Sequence, residues 1–390
     1  MLKKIANITA IILINLLVVA VLLEILLRVF APSLPGTVGI TARYVTTGQP
    51  YQQEWTQAWQ QNPDHYWILR TDVNDALQYG SPTVSFRMST VELWEGAGIG
   101  FRTDPVDYFV DAVVVGDSFG MCFTERADCW VDQLATQTGL GIVNLSQPVT
   151  GTTSHYRILQ DFGVPLLADN AQPLVIWQFF GNDFNDDYGL AVFRGDIESQ
   201  EEETSTDATN TRPISALFAV GQTLFTGNIV GVPDSEALFV KPHRAIINED
   251  EVLRFGGTYE LQALDMSREI NQIGLDYSRI AFQEAQTIVD DMNGTLLVVI
   301  IPTREEVYRA TTAPIMGEDN VDTLQSARDT MLSLCDEFAL TCFDAYDALV
   351  TATQTSDTLL YYSDDMHLNA VGNAVLADAL ASYLVENDLP

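Results

Sequence analysis

The chain has 390 residues, 53 acidic and 19 basic, for a formal net charge of −34. A surface this negative repels phosphate backbones and anionic headgroups, which excludes nucleic acid as a partner and a peripheral electrostatic grip on lipid. The charge does not signal disorder, because hydrophobic residues make up 47% of the chain and aromatics 10%, enough for a full core.

Residues 1–4 read as a cytoplasmic tail and 5–30 as a transmembrane anchor. The stretch from Ile5 to Phe30 is apolar apart from Asn7, Asn15, Glu24 and Arg28. At 1.5 Å per residue it can cross a hydrocarbon core of about 30 Å. Glu24 and Arg28 are four apart and can pair on one helix face. Lys3 and Lys4 precede the span, which favours a single pass with the N-terminus in the cytoplasm and the bulk outside. A cleaved signal peptide is the rival; the length of the apolar run and Pro32 after Ala31 weigh against it. The first 30 residues carry three basic and one acidic side chain, a net of +2, which leaves −36 on the other 360.

The four cysteines, Cys122, Cys129, Cys335 and Cys342, form two pairs of identical spacing. Four cysteines allow three connectivities. In an exported chain the local pairs Cys122–Cys129 and Cys335–Cys342 are the simplest. A continuous helix holds residues seven apart at about 10 Å, so each bridge requires a turn between its cysteines. No histidine lies near and the spacing is wrong for a zinc ribbon, so a metal is not expected.

Residues 31–105 read as an irregular, aromatic-rich extension. Its Trp55, Trp59, Tyr66, Trp67 and Trp94 suit packing against the main domain, with membrane-proximal packing and a sugar-binding surface as the rivals. The main domain, 106–390, alternates short apolar runs with amphipathic ones. Ala112–Val115, Ile142–Leu145, Leu174–Phe180, Leu296–Ile301 and Thr341–Phe343 read as buried strands. Trp130–Thr138, Ser154–Leu167, Tyr277–Met292, Asp322–Phe338 and Ala370–Glu386 read as helices. The pattern predicts an α/β fold: a three-layer α/β/α sandwich on a five-stranded parallel sheet, with its site at the carboxyl ends of the strands. An insertion at about 188–276 breaks the alternation. It opens with the polar stretch Arg194–Arg212, which includes Glu201, Glu202 and Glu203. Ile214–Val232 follows as a helical lid or packing element, with a second membrane span as the rival.

Three stretches carry chemistry. The first strand runs into Gly116-Asp117-Ser118-Phe119-Gly120, which puts a hydroxyl at the strand's carboxyl edge and at a helix N-terminus. The third strand ends in Phe180-Gly181-Asn182-Asp183, whose Asn amide suits an oxyanion donor; an Asx turn is the plainer reading. Near the C-terminus stands Ser363-Asp364-Asp365-Met366-His367-Leu368-Asn369. A histidine two and three positions after carboxylates can act as an oriented general base. The chain's other histidines, His65, His155 and His243, have no such flank.

Together these stretches resemble the SGNH (GDSL-type) hydrolases, over about residues 106–390. The resemblance implies a flavodoxin-like fold, Ser118 as nucleophile and His367 as base. It also implies an oxyanion hole from the Ser118 and Gly151 amides and the Asn182 side chain. Gly151 closes the matching second block, Asn144-Leu145-Ser146-Gln147-Pro148-Val149-Thr150-Gly151. The block Asp-x-x-His selects Asp364 as the orienting acid. Asp365, two before the histidine, is its rival, as in membrane-anchored relatives connected with alginate acetylation. The third block departs from Gly-x-Asn-Asp, because Phe180 holds the glycine position. The segment Ile300–Tyr308 resembles a stretch of the anchored relatives that shapes the pocket wall. Cys122, four residues beyond Ser118, would stiffen the nucleophile loop through its bridge.

The implied function is a membrane-anchored extracytoplasmic serine esterase that cleaves O-acyl esters, on a cell-envelope or extracellular glycan, with no metal or organic cofactor. Alternatives are a polysaccharide O-acetyltransferase, a lipid esterase, and a non-catalytic envelope-binding protein on the same fold.

Overall fold

The computed structural model describes residues 2–31, 34, 36–48, 58–81, 84–106, 110–200, 213–226, 241–248 and 251–389. Trp55, residues 201–212 and residues 227–232 lie outside them. In chain order the elements begin with α1 (Leu2–Val29), α2 (Gly36–Thr47), β1 (Trp59–Asn62), β2 (Tyr66–Leu69), β3 (Ala76–Ser81) and β4 (Val84–Met88). There follow β5 (Ala112–Val115), α3 (Ser118–Met121), α4 (Trp130–Thr138), β6 (Ile142–Asn144), α5 (Thr152–Ile158) and α6 (Val164–Leu167). Next come β7 (Leu174–Phe179), α7 (Asp183–Arg194), α8 (Ala216–Thr226), β8 (His243–Ile246), β9 (Val252–Phe255) and α9 (Thr258–Ala263). The chain continues with α10 (Glu269–Asp291), β10 (Thr295–Ile300), α11 (Arg304–Val307), α12 (Arg309–Met316) and α13 (Glu318–Phe338). It closes with β11 (Thr341–Asp344), α14 (Tyr346–Thr353) and α15 (Ala370–Glu386).

Two compact units result: Met1–Gln53 with Glu203–Val240, and Glu54–Glu202 with Lys241–Pro390. In the first, α1 packs on α2 and α8. Its stretch Ile11–Val29 has a mean hydropathy of 2.6 and is long and apolar enough to cross a membrane.

In the second unit, five strands among the described residues form a parallel sheet of order β11-β10-β7-β5-β6. Counting only these strands, the order is the flavodoxin-like 2-1-3-4-5, whose switch point lies between the first and third strands. The apolar runs explain the sheet's depth. β5, β6 and β7 are buried at every position, as expected of parallel strands covered on both faces. Right-handed crossovers put α5, α10 and α13 on one face and α4 with α15 on the other. The observed packing agrees: α10 lies against α5 and α7, and α15 against α4.

The five strands and the helices α4 and α15 match the sequence expectation closely. Elsewhere the structure corrects it. Residues 31–105 are not wholly irregular, since they hold α2 and the antiparallel pairs β1–β2 and β3–β4. These strands are four to six residues long, too short for alternation to stand out from a loop. Trp59 is buried 6.3 Å from the Phe123 ring, and Trp94 stacks on Phe162 at 5.2 Å. Helix α10 starts eight residues before Tyr277, because Asn271 and Gly274 face α7 and thin the apolar stripe there.

Both local disulfides form, with Cα separations of 5.6 Å for Cys122–Cys129 and 6.2 Å for Cys335–Cys342. Each spans a helix end. Cys122 follows α3 at φ 64°, and Ala339 follows α13 at φ 53°, so the chain reverses between the paired cysteines.

Gly274 sets the closeness of α10 to α7, because a Cβ there would collide with Phe184 O. Gly274→Ala is expected to lower stability by about 1–3 kcal/mol, whereas Ile280→Ala on the exposed side of the same helix changes little; urea unfolding midpoints check both.

Candidate active site

Ser118 stands where β5 gives way to α3. The turn is clamped from the neighbouring strand: Gln178 Oε1 on β7 accepts from Asp117 N at 2.9 Å and from Gly120 N at 3.0 Å. Asp117 Oδ1 accepts from Phe119 N at 2.8 Å and caps the short helix. This close approach demands glycines, since a Cβ on Gly116 would strike Gln178 and one on Gly120 would strike Ser146. Asn144 Nδ2 donates to Gly120 O at 2.8 Å. The second block thus supports the first.

His367 meets the serine across 249 positions: Ser118 Oγ and His367 Nε2 are 2.7 Å apart. On the far side of the ring, Nδ1 is 2.6 Å from Asp365 Oδ1. Burial would push the Asp365 carboxyl up, but His367, its backbone amide and Lys241 together hold it down at about 2. An ionised carboxylate only accepts. Nδ1 therefore carries the proton and Nε2 accepts from the serine hydroxyl.

The carboxylate on His367 is Asp365, not Asp364. The reason is local: Asp365 Oδ1 also accepts from His367 N at 3.0 Å, closing an Asx turn that points the carboxyl at its own histidine. Spacing by family pattern misses this turn.

The imidazole is held between two aromatic rings, Phe119 at 4.5 Å and Phe123 at 4.0 Å between centroids. Phe180 stacks on Phe119 at 4.1 Å. Phe180 thus backs the ring that backs the histidine. Ser118 is 8% exposed and His367 5%.

The segment after β10 anchors the loop that carries Asp365. Arg304, 1% exposed, donates from Nη1 to Asp365 O at 2.8 Å and from Nε to Glu305 Oε1 at 3.2 Å. Tyr361 Oη donates to Pro302 O at 2.8 Å. Thr303 and Glu306 form a capping box at the start of α11. Lys241 pairs with Glu260 beside this cluster, and burial lowers its ammonium to about 7. Sequence reading gave this segment only a wall-shaping part. Buried charge in Arg304-Glu305-Glu306 was the signal for more.

Asn182 follows β7 at the same sheet edge, 5% exposed, with Nδ2 donating to Asp186 Oδ2 at 2.8 Å. Gly151 is the N-cap of α5, and a Cβ there would collide with Asp183 O and crowd Asp187. Val149, two residues earlier, has φ 51°, an outlier for a β-branched residue. The loop from β6 to α5 therefore stores backbone strain beside the site.

Under this edge lie four buried carboxyls. Burial pushes Asp117 up to about 6, against the pull of Phe119 N, His367, Gln178 and Asn182. Burial also raises Asp187 to about 6, although Ser278 Oγ donates to it at 2.6 Å and Thr153 N at 2.8 Å. Burial and mutual repulsion hold Asp183 and Asp186 well above the ordinary carboxylate range. His155, buried beside Asp183, is lowered by burial to about 3 and stays neutral.

No protein-family model matches the chain, and no curated protein matches it. The structure is similar to a member of the lipolytic protein G-D-S-L family from Veillonella parvula. That match has 8% identity and a TM-score of 0.37, and it covers 70% of this chain and 97% of that one. It is also similar to the acetyl xylan esterase AlAXEase, with 11% identity, a TM-score of 0.36, and 70% and 99% coverage. At such values the weight rests on the residues themselves.

The buried carboxyls give stability a pH signature. Unfolded aspartates titrate near 3.9, so between about pH 4 and 6 the folded state binds more protons at these four sites, and stability falls as pH rises. The lowered His65 and His155 act in the opposite direction over the same range. Four carboxyls against two imidazoles leave a net fall. Urea midpoints are expected to be higher near pH 5 than near pH 7, with a flatter profile in Asp183→Asn.

Proposed function

We propose that the chain is a membrane-anchored serine esterase of the SGNH type, with Ser118, His367 and Asp365 as its catalytic residues. The observation that carries this reading is the continuous relay from Ser118 Oγ through the imidazole to Asp365, at 2.7 and 2.6 Å.

In the mechanism, His367 Nε2 takes the proton as Ser118 Oγ attacks an ester carbonyl. Asp365 holds the ring and stabilises its cationic form. The alcohol leaves with the proton from His367, and water, activated by the same nitrogen, releases the acid from the serine. The Ser118 and Gly151 amides and the Asn182 side chain serve as oxyanion donors, each contributing about 3 kcal/mol. Asp186 takes one of the two Asn182 amide hydrogens, which orients the other. The stacked phenylalanines keep water from the imidazole face and fix the ring.

The domain arrangement is an anchor at residues 5–30, an extension to 105 and a catalytic domain at 106–390, interrupted at about 188–276. The catalytic domain lies outside the cytoplasm. Two bridged cysteine pairs and two lysines before the apolar helix support that side. The substrate is an O-acyl ester on an envelope or extracellular glycan. The −36 borne by the rest of the chain favours a neutral glycan over a strongly anionic one.

The detergent-purified chain is expected to hydrolyse a short-chain nitrophenyl ester, and Ser118→Ala to abolish the activity. Undiminished hydrolysis by that variant contradicts the mechanism. Product analysis with an added glycan separates release to water from transfer to a sugar hydroxyl.

A further inference from the structure

Glu24 and Arg28 interrupt the apolar surface of α1, and ionisable groups inside a spanning helix require a partner. The structure supplies one within the same unit. Glu24 Oε1 accepts from Arg28 Nε at 2.7 Å and from Ala216 N at 3.0 Å. Its Oε2 accepts from Ser215 Oγ at 2.9 Å and from Leu217 N at 2.8 Å. Arg28 Nη2 donates to Ile214 O at 2.5 Å. One carboxylate from α1 therefore caps the N-terminus of α8 and meets its positive dipole end.

The composition of α8 fits a place in lipid. Its eleven residues, ALFAVGQTLFT, include no charged side chain. Toward its neighbours it turns small groups: Ala216 and Ala219 are fully buried with Tyr44 and Val45 of α2, and Thr223 Oγ1 lies 3.0 Å from Thr41 Oγ1. Outward it turns large apolar ones. Phe218 is 72% exposed and Leu224 65%, and Ile214, two residues before the helix, is 94% exposed. In water this face is costly, and such patches mark interaction surfaces. It continues the apolar surface of α1, where Leu17 is 66% exposed.

Depth agrees with composition. Glu24 lies five residues before Val29, about 7 Å down the helix at 1.5 Å per residue. Helix α8 thus begins alongside the apolar stretch of α1, not beyond its end. Hydrocarbon offers no water to unsatisfied backbone amides. A cap made by a neighbouring helix is what that depth requires.

We infer that α8 is a membrane-embedded helix: Phe218 and Leu224 on its outer side, with Ile214 just before it, insert into the bilayer leaflet at the C-terminal end of α1, with Glu24 as its cap. The inference rests on the reading of α1 as a membrane span. It gives part of the long insertion a role of its own. Residues 214–226 belong with the anchor, and the partner of their exposed face is phospholipid.

The test uses the chain reconstituted in phosphatidylcholine vesicles. All four native cysteines are bridged, so a single added cysteine carries a nitroxide, in Phe218→Cys, Leu17→Cys or Ile280→Cys. Collisions with oxygen and with a water-soluble nickel chelate are read by electron paramagnetic resonance. The expected result is that the Phe218 and Leu17 positions lose chelate collisions and keep oxygen collisions, while the Ile280 position, on the second unit, keeps chelate collisions. Adding Glu24→Gln should restore chelate collisions at Phe218 and leave Leu17 unchanged. Chelate access at Phe218 with protection at Leu17 overturns the inference and leaves the anchor standing. Chelate access at both positions overturns the anchor reading and the inference with it. Dipolar broadening between Phe218 labels of two copies would show that protein covers this face, and overturns the inference as well.

Discussion

The 2.7 Å contact between Ser118 Oγ and His367 Nε2 joins groups 249 positions apart in the chain. A shift of an ångström would break it, so two distant loops must be fixed to the same frame. The sheet provides that frame. Ser118 follows β5, and its turn is tied to β7 by Gln178. His367 is tied to the nucleophile helix by the rings of Phe119 and Phe123 and to the end of β10 through Tyr361 and Pro302. Asn373 adds a further tie: Nδ2 donates to Leu368 O at 3.1 Å, and Oδ1 accepts from Trp130 N at 3.1 Å. The Cys122–Cys129 bridge closes the segment between them.

Electrostatics beneath the site follows from the same burial. Asp117, Asp183, Asp186 and Asp187 are buried, and charged groups so placed must be paired or neutral. Asp365 is paired with His367, and with the Lys241 charge near it stays ionised. Asp183 and Asp186 are unpaired with any cation among the described residues, and burial together with the neighbouring carboxyls Asp117 and Asp187 pushes both well above the ordinary carboxylate range. One small region therefore holds carboxyls at opposite extremes, and environment alone assigns their roles.

Much of this was legible in the sequence. Continuous apolar runs such as Leu174–Phe179 have few readings other than a buried strand, and all five parallel strands were found from them. The pairing of Ser118 with His367 came from the resemblance of their motifs to the SGNH hydrolases. What could not be read depends on turns and on long-range packing. Asp365, not Asp364, meets the His367 ring because of a two-residue Asx turn. Gln178 sits at a polar position in an otherwise apolar strand, and its two acceptor contacts arise only once β5 lies beside β7. The short hairpins before residue 90 have too few residues for a period to show. Glu24 was seen to pair with Arg28, but its second partner, the start of α8, lies 191 positions away.

The central claim is that a relay through Asp365 activates Ser118. The most direct measurement is kcat/KM for ester hydrolysis by Asp365→Asn and Asp364→Asn, each beside the parent chain. Loss of the orienting carboxylate leaves the imidazole in the wrong tautomer, so Asp365→Asn should fall by about 10⁴-fold. Asp364→Asn should stay close to the parent. The reverse order, with Asp364→Asn crippled and Asp365→Asn intact, would contradict the account.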